Sequence, residues 1–293
     1  MKEIHNTVVL VNEAAGRGHS RRKLERVKQL CADAGVELVY TASPDETRER
    51  ARQAAGQGHP RVIAAGGDGT VHHVLNGLAG TGAALGIIPL GSGNDLARNL
   101  GLPLDVEQAA RLALTGSPRR VDLGSVAGRC FAGVASFGLD SHANRIANRH
   151  TRLSGTALYI YAMLRSLIEF QIPSVSIESD GGGFRGPMML AAAANGPSYG
   201  GGMRIAPRAD MADGRLDLCV VRRMSRLKLL RCFPEVFRGT HLRHPEVSYF
   251  QASRIRIEAD RPLDIFADGE FVGQTPAVVE ILPGALAVIA PWQ

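Results

Sequence analysis

Short apolar runs alternate with amphipathic stretches through the first part of the chain. Runs near 7–11, 36–41, 61–65 and 85–89 are separated by segments whose apolar positions recur at helical spacing. That alternation predicts an α/β unit with a parallel sheet. Ser43-Pro44-Asp45-Glu46 combines an N-cap serine, a first-turn proline and a capping-box glutamate, so a helix is expected from there to Gly56. Helices are also expected over 20–33, stopping at Gly35, and from Asp105 and Gln108 to Gly116. From residue 119 the texture changes to apolar runs punctuated by glycine: RRVDLGSV, CFAGVASF, SVSIES, MMLAAAAN, RLDLCVV, RIRIEA, LDIFA, AVVEIL and ALAVIA. These predict a largely antiparallel second domain. Two helices should interrupt it, one marked by Ala157, Ile160, Tyr161, Leu164, Leu167 and Ile168, the other capped by Ser225 and running over 226–238. Two domains result, 1–118 and 119–293, with the last strand free to return to the first.

Composition narrows the class. Hydrophobic residues make up 45% of the 293 and charged ones 21%, which supports packed cores and argues against disorder. No apolar run approaches the length needed to cross a bilayer, and the first residues lack the pattern of a signal peptide, so a cytoplasmic protein is expected. Cys31, Cys130, Cys219 and Cys232 are widely spaced, which predicts buried free thiols rather than a disulfide framework or zinc knot. The formal charge of +6 rests on 30 arginines and only four lysines, a balance suited to phosphate or to anionic membrane surfaces.

The chemistry concentrates in two glycine turns. Gly66-Gly67-Asp68-Gly69-Thr70 follows an apolar strand and opens a helix-like stretch. Glycines there let backbone N–H groups approach phosphate oxygens, and the helix N-terminus adds its dipole. Leu90-Gly91-Ser92-Gly93-Asn94-Asp95 repeats the arrangement after the next strand. Loops at the carboxyl ends of neighbouring parallel strands converge on one crevice, so both should face one ligand. Ser92 can donate to phosphate, and Asp68 and Asp95 can organise a metal ion or water. There is no G-x-x-x-x-G-K-[ST], no G-x-G-x-x-G after a strand, and no H-R-D or D-F-G. The phosphate grip must therefore come from amides, hydroxyls and arginines.

GGDGTVHHVLNGL at 66–78 and IPLGSGNDLARNLGLP at 88–103 resemble the paired motifs of the diacylglycerol kinase catalytic domain family, which includes bacterial lipid kinases and sphingosine kinases. The resemblance continues in order through Val121-Asp122-Leu123-Gly124, Phe137-Gly138-Leu139-Asp140, Asn195-Gly196, Asp213-Gly214-Arg215-Leu216-Asp217 and Asp268-Gly269-Glu270. It implies an α/β nucleotide-binding domain, a β-sandwich-like lipid-substrate domain, an active site in the cleft between them, ATP as phosphoryl donor and Mg²⁺ as metal. It implies nucleotide contacts at Thr41, Gly66, Gly67, Asp68, Gly69, Thr70, Val71, His72, Ser92, Asn94 and Asp95. It assigns the proton acceptor to Glu270 with Asp268 in support, and a structural Mg²⁺ to the Asp213 carboxylate with the carbonyls of Asp210 and Arg215. Asp122 and Asp217 could join an acidic network near the nucleotide.

Two positions depart from the family pattern: His73 stands where a glutamate is frequent, and Asn12-Glu13 where N-P is usual. The expected activity is transfer of the γ-phosphoryl group of ATP to a lipid hydroxyl. The alternatives are an NAD-kinase-like enzyme, which shares the G-G-D-G-T turn, and a nucleotide- or lipid-binding protein without turnover. The expected partner is a lipid substrate presented at a membrane surface, peripheral to the inner membrane, with no nucleic acid; self-association into a homodimer is left open.

Overall fold

The computed structural model describes residues 6–12, 20–149 and 155–291. Glu13 lies outside them. The chain divides into two compact units, Met1–Asp122 with Pro283–Gln293, and Leu123–Leu282. The division falls at 122/123, inside a strand over Pro118–Val126, rather than at the expected 118/119.

In the first unit, β1 (Thr7–Asn12), α1 (Ser20–Ala34), β2 (Glu37–Thr41), α2 (Pro44–Gly56), β3 (Arg61–Gly66), α3 (Asp68–Leu78), β4 (Ala84–Pro89), the single turn α4 (Asp95–Asn99) and α5 (Val106–Thr115) follow one another. The strands are parallel in the order β2, β1, β3, β4, and residues 287–288 of the last strand of the chain extend the sheet beside β4. Successive side chains of a strand point to opposite faces. Val9, Val11, Ile63, Ala65 and Ile88 accordingly pack with Leu24 and Val27 of α1 and Ala110 of α5, while α2 and α3 cover the other face. The chain reverses direction of winding between β1 and β3, the place where such sheets bind ligands beyond their carboxyl ends.

Local chemistry sets the helix starts. Ser43 Oγ accepts from the Glu46 N–H at 3.2 Å, while the Glu46 carboxylate reaches back past the cap to the Ala42 N–H at 2.9 Å. Asp105 accepts from the Glu107 and Gln108 N–H groups. Both helices start where the sequence placed them.

The second unit contains β5 (Pro118–Val126, from residue 123), β6 (Arg129–Phe131), β7 (Val134–Gly138), α6 (Leu139–Arg149), α7 (Gly155–Glu169), β8 (Ser174–Ser179), β9 (Gly183–Ala194), β10 (Leu216–Arg222), α8 (Arg226–Arg238), β11 (Val247–Ala252), β12 (Arg254–Ala259), β13 (Asp264–Ala267), β14 (Glu270–Gln274) and β15 (Ala277–Ile289, to residue 282). One antiparallel sheet runs β14, β13, β7, β9, β10, β11. A second runs β9, β8, β12, β15. β9 serves both: its first residues pair with β8 and residues 190–194 pair with β7 and β10.

Between the sheets lie Phe131, Phe137, Ile177, Leu218, Ile255 and Ile265, all buried. Full burial of such a side chain contributes about 1.5–3 kcal/mol of transfer free energy each. The outer face of the first sheet, with Val134, Ala192 and Cys219, packs on α6, α7 and α8. Ser225 Oγ caps α8 by accepting the Lys228 N–H at 3.2 Å. All four cysteines are free.

Four elements differ from expectation. α6, whose apolar Leu139, Ala143 and Ile146 recur at helical spacing, and β11, which mixes aromatic and polar residues, were not anticipated. AVVEIL and ALAVIA are one strand, β15, which continues through Pro283 and Gly284. On α7 the inward side chains are Ala162, Met163, Ser166 and Leu167; Ile160, Leu164 and Ile168 of the apolar stripe face solvent. The side chain of Ala157 lies outside the described residues.

Candidate active site

The two glycine turns touch backbone to backbone. A Cβ on Gly91 would lie 2.7 Å from Gly67 Cα, a distance real side chains do not adopt, so Gly91 is fixed by close approach. Gly67 caps α3 without any side-chain hydrogen bond, which leaves the first-turn amides of Gly69 and Thr70 in the orientation that binds anions.

Asp68, the first residue of α3, clamps the second turn. Its Oδ2 accepts from the Asn94 N–H at 2.8 Å and its Oδ1 from the Asp95 N–H at 2.6 Å. Asn94 sits in the left-handed region, φ 53°, and closes the turn on itself: Oδ1 accepts from Gly91 N–H and Nδ2 donates to the Gly91 carbonyl. Asp68 was expected to organise metal or water. Its carboxylate joins the two turns, and two N–H donors offset its charge. Ser92 is exposed at the tip of the turn, with Asp95 half-buried behind it.

Other predicted contacts are closed off. Thr41 is buried, and its hydroxyl lies 2.7 Å from that of Thr47 and donates to the Val11 carbonyl. Val71 and His72 are buried on α3, and the Val71 N–H already donates to the Gly67 carbonyl. His73 is half-buried and meets the His72 ring edge to face at 5.4 Å. Asp122 is buried and accepts from the Gly284 N–H at 2.7 Å, which makes it a tie within the first unit.

In the second unit, Asp268 has φ 50° and begins the turn between β13 and β14. Its Oδ1 accepts from Gly133 N–H (2.9 Å) and Val134 N–H (3.1 Å), and its Oδ2 from Ala132 N–H (2.9 Å). Asn195 grips the same segment, donating from Nδ2 to the Ala132 carbonyl and from its own N–H to the Gly133 carbonyl. Glu270, two residues on, is half-buried, and no hydrogen bond engages its carboxylate among the described residues. Three amides thus occupy the Asp268 carboxylate, whereas the Glu270 carboxylate is left open to a ligand.

Comparison with known proteins now bears on these parts. Residues 6–126 match the diacylglycerol kinase catalytic domain family, and residues 133–290 match the YegS C-terminal NAD kinase beta sandwich-like domain family. A diacylglycerol kinase of Mycobacterium tuberculosis is 35% identical over 298 residues, covering 99% of this chain and 96% of that protein. The chain belongs to the diacylglycerol kinase family. A diacylglycerol kinase of Bacillus subtilis is 31% identical, covering 97% of this chain and 95% of its own. A crystal structure from Bacillus anthracis str. Sterne covers 98% of both chains with a TM-score of 0.81 at 26% identity. As a member of the diacylglycerol kinase family the protein is an ATP-dependent lipid kinase.

The family reading directs attention to a feature that motif analysis missed. Within the second unit a cavity of about 90 Å³ opens between α7, α8 and the first sheet. Its walls include Leu139, Met163, Leu190, Met203, Val221 and Phe233, an almost wholly apolar lining. The helical stripe on α7 was the available signal, but spacing alone does not tell a core face from a cavity wall.

The predicted metal loop lies at the start of β10. Asp213 is exposed; its Oδ1 accepts from the Arg215 N–H at 2.9 Å and its Oδ2 from Gln251 Nε2 at 3.0 Å. The same Gln251 amide donates to Asp217 Oδ2 at 3.2 Å. Burial holds the Asp217 carboxyl above the usual carboxylate range, and the Asp213 charge adds to that. Asp210 accepts from the Ala212 N–H and is exposed. The Gln251 amide thus bridges the two carboxylates, and the exposed Asp213 carboxylate is the type of donor that a hard, oxygen-seeking cation takes. Among the described residues no group of three His, Cys, Asp or Glu side chains could hold a metal by itself. No helix among them is long and apolar enough to cross a membrane.

Proposed function

We propose that the protein transfers the γ-phosphoryl group of ATP to the free hydroxyl of a diacylglycerol-like lipid, assisted by Mg²⁺. The two glycine turns hold the phosphates through the amides of Gly69 and Thr70 and the hydroxyl of Ser92. Glu270 accepts the proton of the lipid hydroxyl as the phosphoryl group arrives, a general-base effect worth about 10²–10⁴-fold. Asp268 positions Glu270 by anchoring the turn. Asp213, with the carbonyls of Asp210 and Arg215, would hold a structural Mg²⁺, and a metal bound with the nucleotide would supply charge stabilisation to the transferring group.

The single observation that carries the reading is the apolar cavity in the second unit. Its lining suits acyl chains and leaves the polar groups of a nucleotide acceptor without partners, which disfavours the NAD-kinase-like alternative. The test is phosphate transfer from γ-labelled ATP into diacylglycerol dispersed in detergent, with NAD as parallel acceptor. Labelled phosphatidate, abolished by EDTA, is the expected product. Labelled NADP and unlabelled lipid would overturn the assignment; ATP binding by calorimetry with no transfer to either acceptor would favour a binding protein without turnover.

A further inference from the structure

Eleven large hydrophobic side chains are exposed among the described residues, and seven of them lie on two helices: Ile160, Tyr161, Leu164 and Ile168 on α7, and Leu227, Leu230 and Phe237 on α8. Single apolar residues on a surface are ordinary, but a contiguous set of this kind marks an interaction face. The two most exposed are Ile168 at 73% and Leu227 at 59%. One hydrogen bond links their helices, since the guanidinium of Arg226, the residue before Leu227, donates to the Ile168 carbonyl at 3.2 Å. The two stripes therefore meet where α7 ends and α8 begins.

Charge accompanies the apolar face. Arg223, Arg226, Arg231 and Arg238 sit on or beside α8, are exposed, and make no ion pair with a carboxylate among the described residues. The face also rims the apolar cavity: Ile160, Leu164 and Leu230 are exposed and line it together with buried Met163 and Leu167. An unbroken apolar surface thus leads from solvent into the cavity.

We propose that the α7–α8 face docks on an anionic phospholipid bilayer, with Ile168 and Leu227 entering the acyl region and the arginines meeting phosphate headgroups. The inference rests on the lipid-kinase reading for its choice of occupant. Amphipathic helices lie in the interface plane with the apolar side inward, and each exposed cation near an anionic surface strengthens partitioning by about five-fold. A second copy of the chain fits the face less well. A two-fold contact there would set the unpaired arginines of one copy against those of the other, while the one acid on each helix, Glu169 on α7 and Glu235 on α8, is already engaged within its own chain. Docked in this way, a lipid chain passes from bilayer to cavity without crossing water.

The test measures sedimentation of the full chain with vesicles, without nucleotide. Vesicles of equal parts phosphatidylglycerol and phosphatidylcholine are compared with phosphatidylcholine alone, at low and high salt. The variants are Ile168→Asp with Leu227→Asp, Arg223→Glu with Arg231→Glu, and Leu104→Asp as a control on an exposed apolar residue of the first unit. Binding should require the anionic lipid, weaken with salt, and fall at least ten-fold in both double variants but not in the control. Phosphorylation of a short-chain, monomerically dispersed diacylglycerol should persist in the Ile168→Asp, Leu227→Asp variant, because neither residue lines the cavity, and its melting temperature should match the parent.

Vesicle binding unchanged in both double variants overturns the proposal. So does a dimer that the same variants convert to monomer while vesicle binding persists, which makes the face an interface between copies. Capture of a protein partner through the face, with no vesicle binding, overturns it equally. If binding follows the face but no lipid is ever phosphorylated, docking stands and the kinase reading fails.

Discussion

Replacing Asp268 by Asn separates the anchor of the second-unit turn from the proton acceptor beside it. In the parent, one carboxylate receives three amides at 2.9, 2.9 and 3.1 Å. With the amide oxygen facing Gly133 and Val134, the new NH₂ group points at the Ala132 N–H, and two donors confront each other. Loss of the charge and an unsatisfied amide together cost about 2–4 kcal/mol. For a unit of this size roughly 2–4 °C is lost per kcal/mol, so melting of the second unit should fall by roughly 5–15 °C. Glu270→Gln removes basicity from a side chain with no hydrogen bond to lose and should leave melting nearly unchanged, within about 0.5 kcal/mol. Its kcat should fall by about 10²–10⁴-fold with little change in KM for ATP. Differential scanning fluorimetry and initial rates on dispersed diacylglycerol read both effects on the same samples. An Asp268→Asn protein that melts like the parent refutes the anchor. A Glu270→Gln protein with near-parental kcat refutes the base.

Gly91→Ala forces a Cβ onto Gly67 and should destabilise the first unit by about 1–3 kcal/mol and weaken ATP binding by calorimetry, whereas Gly82→Ala, with open space around it, should do neither. Asp68→Ala removes the clamp between the turns, so both melting temperature and turnover should fall; loss of turnover alone would return Asp68 to a purely chemical role. Hydrogen bonds from Ser253, then the Arg254 amide, hold the Asp180 carboxyl down at about 2. Its stabilisation is complete above the ordinary value of about 3.9 and is lost as pH falls toward the depressed one. Asp180→Asn should therefore flatten the loss of thermal stability between those values, and an unchanged pH profile would count against that tie.

The parts of the fold visible in the sequence are those with local causes. The strands of the first unit are uninterrupted apolar runs, and their helices begin at Ser43 and Asp105 because those side chains satisfy amides two or three residues away. The glycine turns were legible for the same reason. What escaped depends on distant partners. Asp68 and Asp268 read as chemical carboxylates until the chain brings Asn94 and Gly133 to them, 26 and 135 residues away. The stripe on α7 announces an apolar face without saying what covers it. β11, a mixture of aromatic and polar residues, becomes a strand because β10 supplies its ladder.

The path of the chain gives the last strand a role in the timing of synthesis. The first unit is begun by the opening residues, yet β4 receives its neighbour only from residues 287–288, after the whole of Leu123–Leu282 has been made. A nascent chain therefore carries a parallel sheet whose β4 edge is still bare while the second unit is translated, and bare edges invite pairing with other chains. The second unit, contiguous from Leu123 to Leu282, can complete its sheets first. On the ribosome, the half of the protein that is started first is finished last.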